Sequence, residues 1–355
     1  MKIIAEVGSN HNGSLELAKK LIDVALNAKA DVVKFQFIFP EGLYLEKYYD
    51  RGTYVENPVF KQRQKETLTP AQWGEVWQYA KDKNIEVTAS VFCDAGLELL
   101  QSLGADLVKI SSSDIDNLSL IRKCAESFET LIISTGMATI QEVIQAYQTA
   151  KAANENINLV VMHCVSLYPC AIESAGLGRI PVFQGLLDCE IGYSDHTLTN
   201  ASAISALTLG CQWFEKHYTL DKNLPGFDHA HAQSECELTN YVTELTHINA
   251  ALSKYVGLTA KPTDGITAVR ARRGLYAAKD IELGCILTEA DIIAVRPASE
   301  MTPAQLSTLV GLKVSAPIKK YQSLKPQMDI TPGASDASNA RNYWRDELSQ
   351  KGLDK

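Results

Sequence analysis

The sequence predicts a (β/α)8 barrel, the TIM-barrel architecture, followed by a second, smaller domain. Three observations carry this expectation. From residue 2 to about 255, short apolar runs alternate with longer amphipathic segments; the apolar runs number eight; and after Tyr255 the pattern gives way to short strands and turns. Alternation of this kind marks βα units feeding a parallel sheet. Eight such units in roughly 250 residues suit a closed barrel, with a doubly wound open sheet as the runner-up.

The eight predicted strands cover residues 3–7 (IIAEV), 31–37 (DVVKFQF), 85–91 (IEVTASV), 106–111 (DLVKIS), 130–135 (TLIIST), 158–164 (NLVVMHC), 189–193 (CEIGY) and 212–217 (QWFEKH). Helix-like segments lie between them. SLELAKKLIDVALNA opens with Ser14 as its cap, and TPAQWGEVWQYAKDK has Pro70 in its first turn, where a missing N–H costs nothing. Residues 39–68, rich in Tyr, Gly and charge, exceed an ordinary βα loop and are expected to be functional or to form a lid. The barrel is placed at 1–260 and a linker at 261–272, marked by Lys261, Pro262, Asp264 and Gly265. A small domain at 273–331 follows, near the lower size limit for independent stability and so expected to pack on something. Residues 332–355 form a polar, loose tail.

The composition is that of an ordinary globular protein, 46% hydrophobic and 21% charged. A net charge of -8 argues against a nucleic-acid footprint, which needs clustered excess cations. An anionic substrate would therefore need a local basic pocket. The four-residue RARR run at 270–273 is expected to be solvated or paired across a dimer contact. The cysteines at 93, 124, 164, 170, 189, 211, 236 and 285 are scattered singly with no C-x-x-C pair, which suits a reducing compartment. The N-terminal apolar run is too short for a signal peptide and no stretch is long enough to span a membrane, so a soluble, cytoplasmic protein without a membrane partner is expected.

The polar residues set into the apolar strands fall near the strands' C-terminal ends, the active-site mouth of this fold. They are Glu6, Lys34, Gln36, Ser90, Lys109, Ser134, His163, Ser194, His196, Glu215 and His217. A lysine is seldom buried without a partner, and DVVKFQF and DLVKIS each contain one. An anion at the mouth would satisfy Lys34 and Lys109; two structural ion pairs with Glu6 or Glu215 are the plainer reading. With Ser90, Ser112, Ser134 and Ser194 alongside, the pocket suits a phosphate plus a carboxylate. His196 and His217, at the ends of adjacent strands, could share a divalent metal with coordination sites left open. A histidine is as readily a hydrogen-bonded core residue, and His163 reads as structural or as a support for the ligands.

The segments IAEVGSNHNGS, VVKFQ, VKISSSD, ISTGM, HCVSLYP, GYSDHT and FEKHYTLD occur in one order. Together they resemble the N-acetylneuraminate synthase family, including its relatives that make legionaminic and pseudaminic acids and spore-coat sugars. The resemblance covers about residues 2–330. It implies a barrel followed by an antifreeze-like (SAF) domain, and a domain-swapped homodimer. It implies that Lys34, Ser90, Lys109, Ser112, Ser134 and Ser194 bind phosphoenolpyruvate, with Ser166 where many members carry an amide near the phosphate. His196 and His217 would bind Mn2+ or Mg2+. Glu6, Gln36, Tyr168, Glu215 and Asp228 would line the sugar and metal-water side, and Arg296 would enter the partner's active site to hold the sugar's N-acyl group. The implied reaction joins C3 of phosphoenolpyruvate to C1 of an open-chain N-acylated aldose, adds water at C2 and releases phosphate. Glu6 or Glu215 would steer the protons. The acceptor, N-acetylmannosamine or a di-N-acylated dideoxy analogue, stays open.

Two further departures from the family pattern are Val91, in place of a common proline, and Phe227, where a Gly-Pro-Asp turn reads Gly226-Phe227-Asp228. His229 and His231, on a polar loop, are expected to be solvated. Two rivals to the synthase are a pyruvate aldolase with Lys109 as Schiff-base nucleophile and a non-catalytic carbohydrate- or ice-binding protein.

Overall fold

The computed structural model describes residues 1–253 and 264–326. The chain divides into two compact units at residues 254/255. In the first, the eight expected strands close into a parallel barrel: Lys2–Gly8, Val32–Phe37, Glu86–Val91, Leu107–Ile110, Thr130–Ser134, Asn158–Cys164, Glu190–Asp195 and Trp213–His217. We number them barrel strands 1 to 8. Each pairs with its neighbours in sequence, and strand 1 closes on strand 8.

Strand side chains alternate between the two faces of the sheet, and this period sets the chemistry of the barrel interior. Ile4, Val32, Leu107, Ile132, Val160, Met162 and Trp213 form an apolar inner cluster. Two residues further along five of these strands stand Glu6, Lys34, Lys109, Ser134 and Glu215. The same face that seals the interior at one end thus presents charge at the other. The opposite strand face, with Phe35, Ile110, Ile133 and Phe214, packs against the helices in the main core. Phe214 is fully buried, so Phe214→Ala is expected to lower unfolding stability by about 3–5 kcal/mol, read from the urea midpoint.

Local signals place the helices. Ser14 accepts from the Leu17 amide and opens Leu15–Asn27, which buries Ala18, Leu21, Ile22, Val24 and Ala25. Thr69 and Gln72 cap Pro70–Asp82 reciprocally. Residues 39–68 contain two helices, Pro40–Leu43 and Pro58–Glu66, around an exposed antiparallel hairpin of Lys47–Asp50 and Thr53–Glu56. Among the described residues no helix is long and apolar enough to cross a membrane. All eight cysteines are free thiols.

The second unit pairs Gly274–Ala277 antiparallel to Ile292–Val295 around its own core, which includes Leu275, Ile281, Leu287, Met301 and Ile318. A short helix, Gly265–Ala271, occupies most of the stretch expected to be a linker. Of the expected segments, the last residues of the barrel domain (254–260), linker residues 261–263, the last residues of the small domain (327–331) and the tail 332–355 lie outside the described residues.

Candidate active site

The C-terminal ends of the barrel strands surround a cleft of about 500 Å3, lined among others by Glu6, Lys34, Gln36, Ser90, Lys109, Ser112, Ser134, Ser166, Tyr168, Ser194, His196, Glu215 and His217. A hollow of about 640 Å3 lies at the other end of the barrel, between the C-terminal turns of Pro70–Asp82 and Asp94–Ser102. It is larger, but the converging polar groups are all at the first.

Register explains the convergence. Glu6 stands opposite both Lys34 and His217, Ser90 opposite Lys109, and Glu215 opposite Ser194. Lys34 and Lys109 are each only 2% exposed. Lys34 Nζ lies 2.7 Å from Glu6 Oε2 and 3.6 Å from Glu215 Oε2, and donates to Ser90 Oγ at 2.9 Å. Lys109 Nζ donates to Glu215 Oε1 at 2.5 Å, which also accepts from Ser194 Oγ at 3.0 Å. The plainer reading of the lysines as ion-paired residues is thus realised. The electrostatics are nonetheless uneven. Burial pushes the Glu6 carboxyl up to about 7, with Lys34 pulling the other way. Burial opposes the Glu215 carboxylate too, but Lys109 and Lys34 together outweigh it and hold its pKa well below the ordinary value. Burial depresses Lys109 below the usual lysine range despite Glu215; at Lys34 the carboxylates of Glu215 and Glu6 win over burial and raise it.

Beyond Lys109 the wall is hydroxylic. Gly136 N donates to Ser112 Oγ at 2.9 Å. A Cβ at Gly136 would stand 2.3 Å from Ser166 Oγ and 2.8 Å from Ser112 Oγ, so only glycine lets these hydroxyls close in. Ser134 Oγ is buried with no hydrogen-bond partner. A buried idle hydroxyl costs free energy unless a ligand oxygen meets it.

On the other side of the cleft, His196 Nδ1 is hydrogen-bonded to the Val165 carbonyl at 2.7 Å. Its ring lies 4.2 Å from that of Tyr168 and 5.7 Å from that of His217. Burial lowers His196 to about 4 and His217 to about 3, leaving both as the neutral imidazoles that coordinate metals. Among the described residues, however, the group of three side chains close enough to hold a metal is His217, Asp228 and His231, whose ligand atoms all lie within 4.8 Å of one another. His217 Nδ1 and His231 Nε2 are both buried without a hydrogen-bond partner, as nitrogens awaiting a cation would be. Gly8, at φ +58°, makes room for the carboxylate: a Cβ there would sit 2.5 Å from Asp228 Oδ2.

His231 corrects the expectation that both loop histidines are solvated. Its ring packs 5.3 Å from that of His217 and 4.9 Å from that of Tyr168. His229 is buried, with Nδ1 hydrogen-bonded to Thr219 Oγ1 at 2.7 Å. The loop is pinned back along the end of strand 8 because Gln233 N donates to the His217 carbonyl and Thr219 N to the Gln233 carbonyl, each at 2.8 Å. A polar loop sequence carries no sign of that return. Arg63, missed in the sequence because it sits in the long 39–68 stretch, also lines the cleft. His163 lies apart, with Nε2 hydrogen-bonded to the Ala175 carbonyl at 2.8 Å. Arg296 directly follows the strand Ile292–Val295 of the second unit and is exposed.

The NeuB family model matches residues 21–256, and the SAF domain model matches residues 272–328. The chain is 34% identical over 324 residues to the N,N'-diacetyllegionaminic acid synthase of Legionella pneumophila, a match covering 88% of this chain and 90% of that one. It is 34% identical over 316 residues to the spore coat polysaccharide biosynthesis protein SpsE of Bacillus subtilis, covering 84% of each. Among solved structures, the N-acetylneuraminic acid (sialic acid) synthetase of Leptospira borgpetersenii, in complex with citrate, superposes with a TM-score of 0.67 at 30% identity, over 75% of this chain and 89% of that chain.

Proposed function

The chain belongs to the NeuB family and carries a SAF domain, and from that premise we propose that it condenses phosphoenolpyruvate with an open-chain N-acylated aldose and water, giving a nonulosonic acid and phosphate. The observation that carries this reading is the pair of buried lysines at the barrel mouth, set between two buried carboxylates and a hydroxylic wall whose Ser134 has no partner. In this reading Lys34 and Lys109 hold the anion, with Ser90, Ser112, Ser134, Ser166 and Ser194 meeting its oxygens. That leaves Gln36, Tyr168 and Asp228 to the acceptor and metal side. A C3–C1 bond forms between the two substrates, water adds at C2, and phosphate leaves by C–O cleavage.

The two carboxylates divide the proton work. Glu215, held ionised by Lys109 and Lys34, is a fixed countercharge; Glu6, raised to about 7 by burial and accepting from Gln36 Nε2 at 3.0 Å on the acceptor side, is the group to give and take a proton near neutral pH. A divalent cation such as Mn2+ or Mg2+, held by His217, Asp228 and His231 with His196 adjacent, would supply the Lewis acidity that polarises the sugar aldehyde.

The test is phosphate release from phosphoenolpyruvate with N-acetylmannosamine and with di-N-acylated dideoxy analogues, with Mn2+ and after chelation. Metal-dependent release with one sugar is expected, from a preparation that sediments as a homodimer in which Arg296 serves the acceptor. No release by folded protein with any of them, or a borohydride-trapped pyruvate adduct on Lys109, overturns the reading.

A further inference from the structure

The helix Pro58–Glu66 contributes nothing to the chemistry above, yet it delivers Arg63 to the wall of the cleft beside Gln36, Ile38, Leu43 and Tyr44. Arg63 is 8% exposed. Its Nη1 donates to Ser9 Oγ at 2.9 Å and to Glu66 Oε2 at 3.0 Å, so Glu66 already neutralises its charge. The guanidinium lies over the Phe227 ring, 3.9 Å from its centre, and Nε is buried with no hydrogen-bond partner. A surface helix gains nothing by burying a guanidinium with an idle N–H, since the desolvation cost of that donor goes uncompensated.

Position and charge narrow what Nε can receive. Ser9 follows Gly8, which abuts Asp228, so Arg63 belongs to the acceptor side of the cleft and not to the Lys109 and Ser134 side. A carboxylate there would meet Glu66; a neutral carbonyl oxygen would not. Phe227 adds an apolar, half-exposed ring next to the donor. Resting on the synthase reading, we propose that Arg63 binds the acceptor directly. Its Nε–H takes the carbonyl oxygen of a second acylamino group, at the end of the sugar remote from the aldehyde, and Phe227 packs against the acyl methyl. Arg63 is thereby a specificity residue for di-N-acylated over mono-N-acylated acceptors.

The experiment measures kcat/KM by phosphate release for a di-N-acetylated dideoxy acceptor and for N-acetylmannosamine, in wild type, Arg63→Met and Arg63→Lys. The lysine variant keeps a cation against Glu66 and removes the planar donor, which preserves the fold. Wild type is expected to prefer the di-N-acetylated sugar, and both variants to lose that preference by about 10–100-fold, the worth of one hydrogen bond to a charged group, chiefly through the KM of that sugar. An unchanged preference in folded Arg63→Lys, or a wild type that prefers N-acetylmannosamine, overturns the assignment. In that case a single water in the small hollow of about 10 Å3 that Arg63 helps to line is the partner of Nε. A wild type that releases no phosphate with any sugar overturns the synthase reading itself, a result that needs no variant to see.

Discussion

Lys109→Met is expected to lower kcat/KM for phosphoenolpyruvate turnover by on the order of 1000-fold, with most of the fold retained. Lys109 Nζ sits on Glu215 Oε1, and Ser194 Oγ donates to the same oxygen. Methionine nearly matches the lysine stem in volume, so the apolar layer beneath, including Leu107 and Met162, stays filled. The charge is lost. Breaking a buried pair typically costs about 3–5 kcal/mol, but Glu215 keeps Lys34 at 3.6 Å, so the loss in thermal stability should fall short of that range. In the proposed anion site the substrate would have no such reserve: with the Lys109 ammonium gone, the hydroxylic wall of Ser112, Ser134 and Ser166 would face the anion with only Lys34 to balance it, and Lys34 is already shared with Glu6. Steady-state kinetics beside a thermal melt separate the two effects. A variant that keeps more than a tenth of wild-type kcat/KM would remove Lys109 from the anion site.

His217→Ala should be as severe, with activity at saturating Mn2+ falling on the order of 1000-fold, because a cation that polarises a carbonyl is worth several kcal/mol. The informative companion is His231→Ala. If His217, Asp228 and His231 hold the cation, as their mutual spacing within 4.8 Å supports, His231→Ala raises the Mn2+ concentration for half-maximal activity by at least about 10–100-fold, the effect of losing even an indirect support of a metal ligand. His196 has its Nδ1 hydrogen-bonded to the Val165 carbonyl and its ring against Tyr168. His196→Ala is therefore expected to shift the Mn2+ requirement less than His231→Ala does. Titrating Mn2+ into chelator-stripped protein reads both. The opposite order, with His196→Ala the worse, would put the cation between His196 and His217.

The eight barrel strands were legible because burial on both faces leaves near-continuous apolar runs, which survive in a single sequence. Lys34, Lys109, Glu6 and Glu215 were legible for the converse reason: a charge inside such a run is costly and stands out. The hairpin of residues 47–56 left no such trace. All of its residues are exposed, so neither face writes an alternating pattern, and the pairing rests on a turn at Arg51 and Gly52, both at positive φ. Which carboxylate pairs with which lysine was equally hidden, since that follows from register around a closed sheet.

The sequence by itself determined the barrel, its mouth and the kinds of group gathered there, because period-two burial and the cost of buried charge act within one strand. Only the tertiary structure decided that His231 turns inward beside His217 and Asp228, that Arg63 reaches the cleft under Phe227, and that Glu6 and Glu215 titrate apart. Each of these depends on groups far apart in the chain meeting in a low-dielectric space, where a few ångströms fix both the partner and the charge.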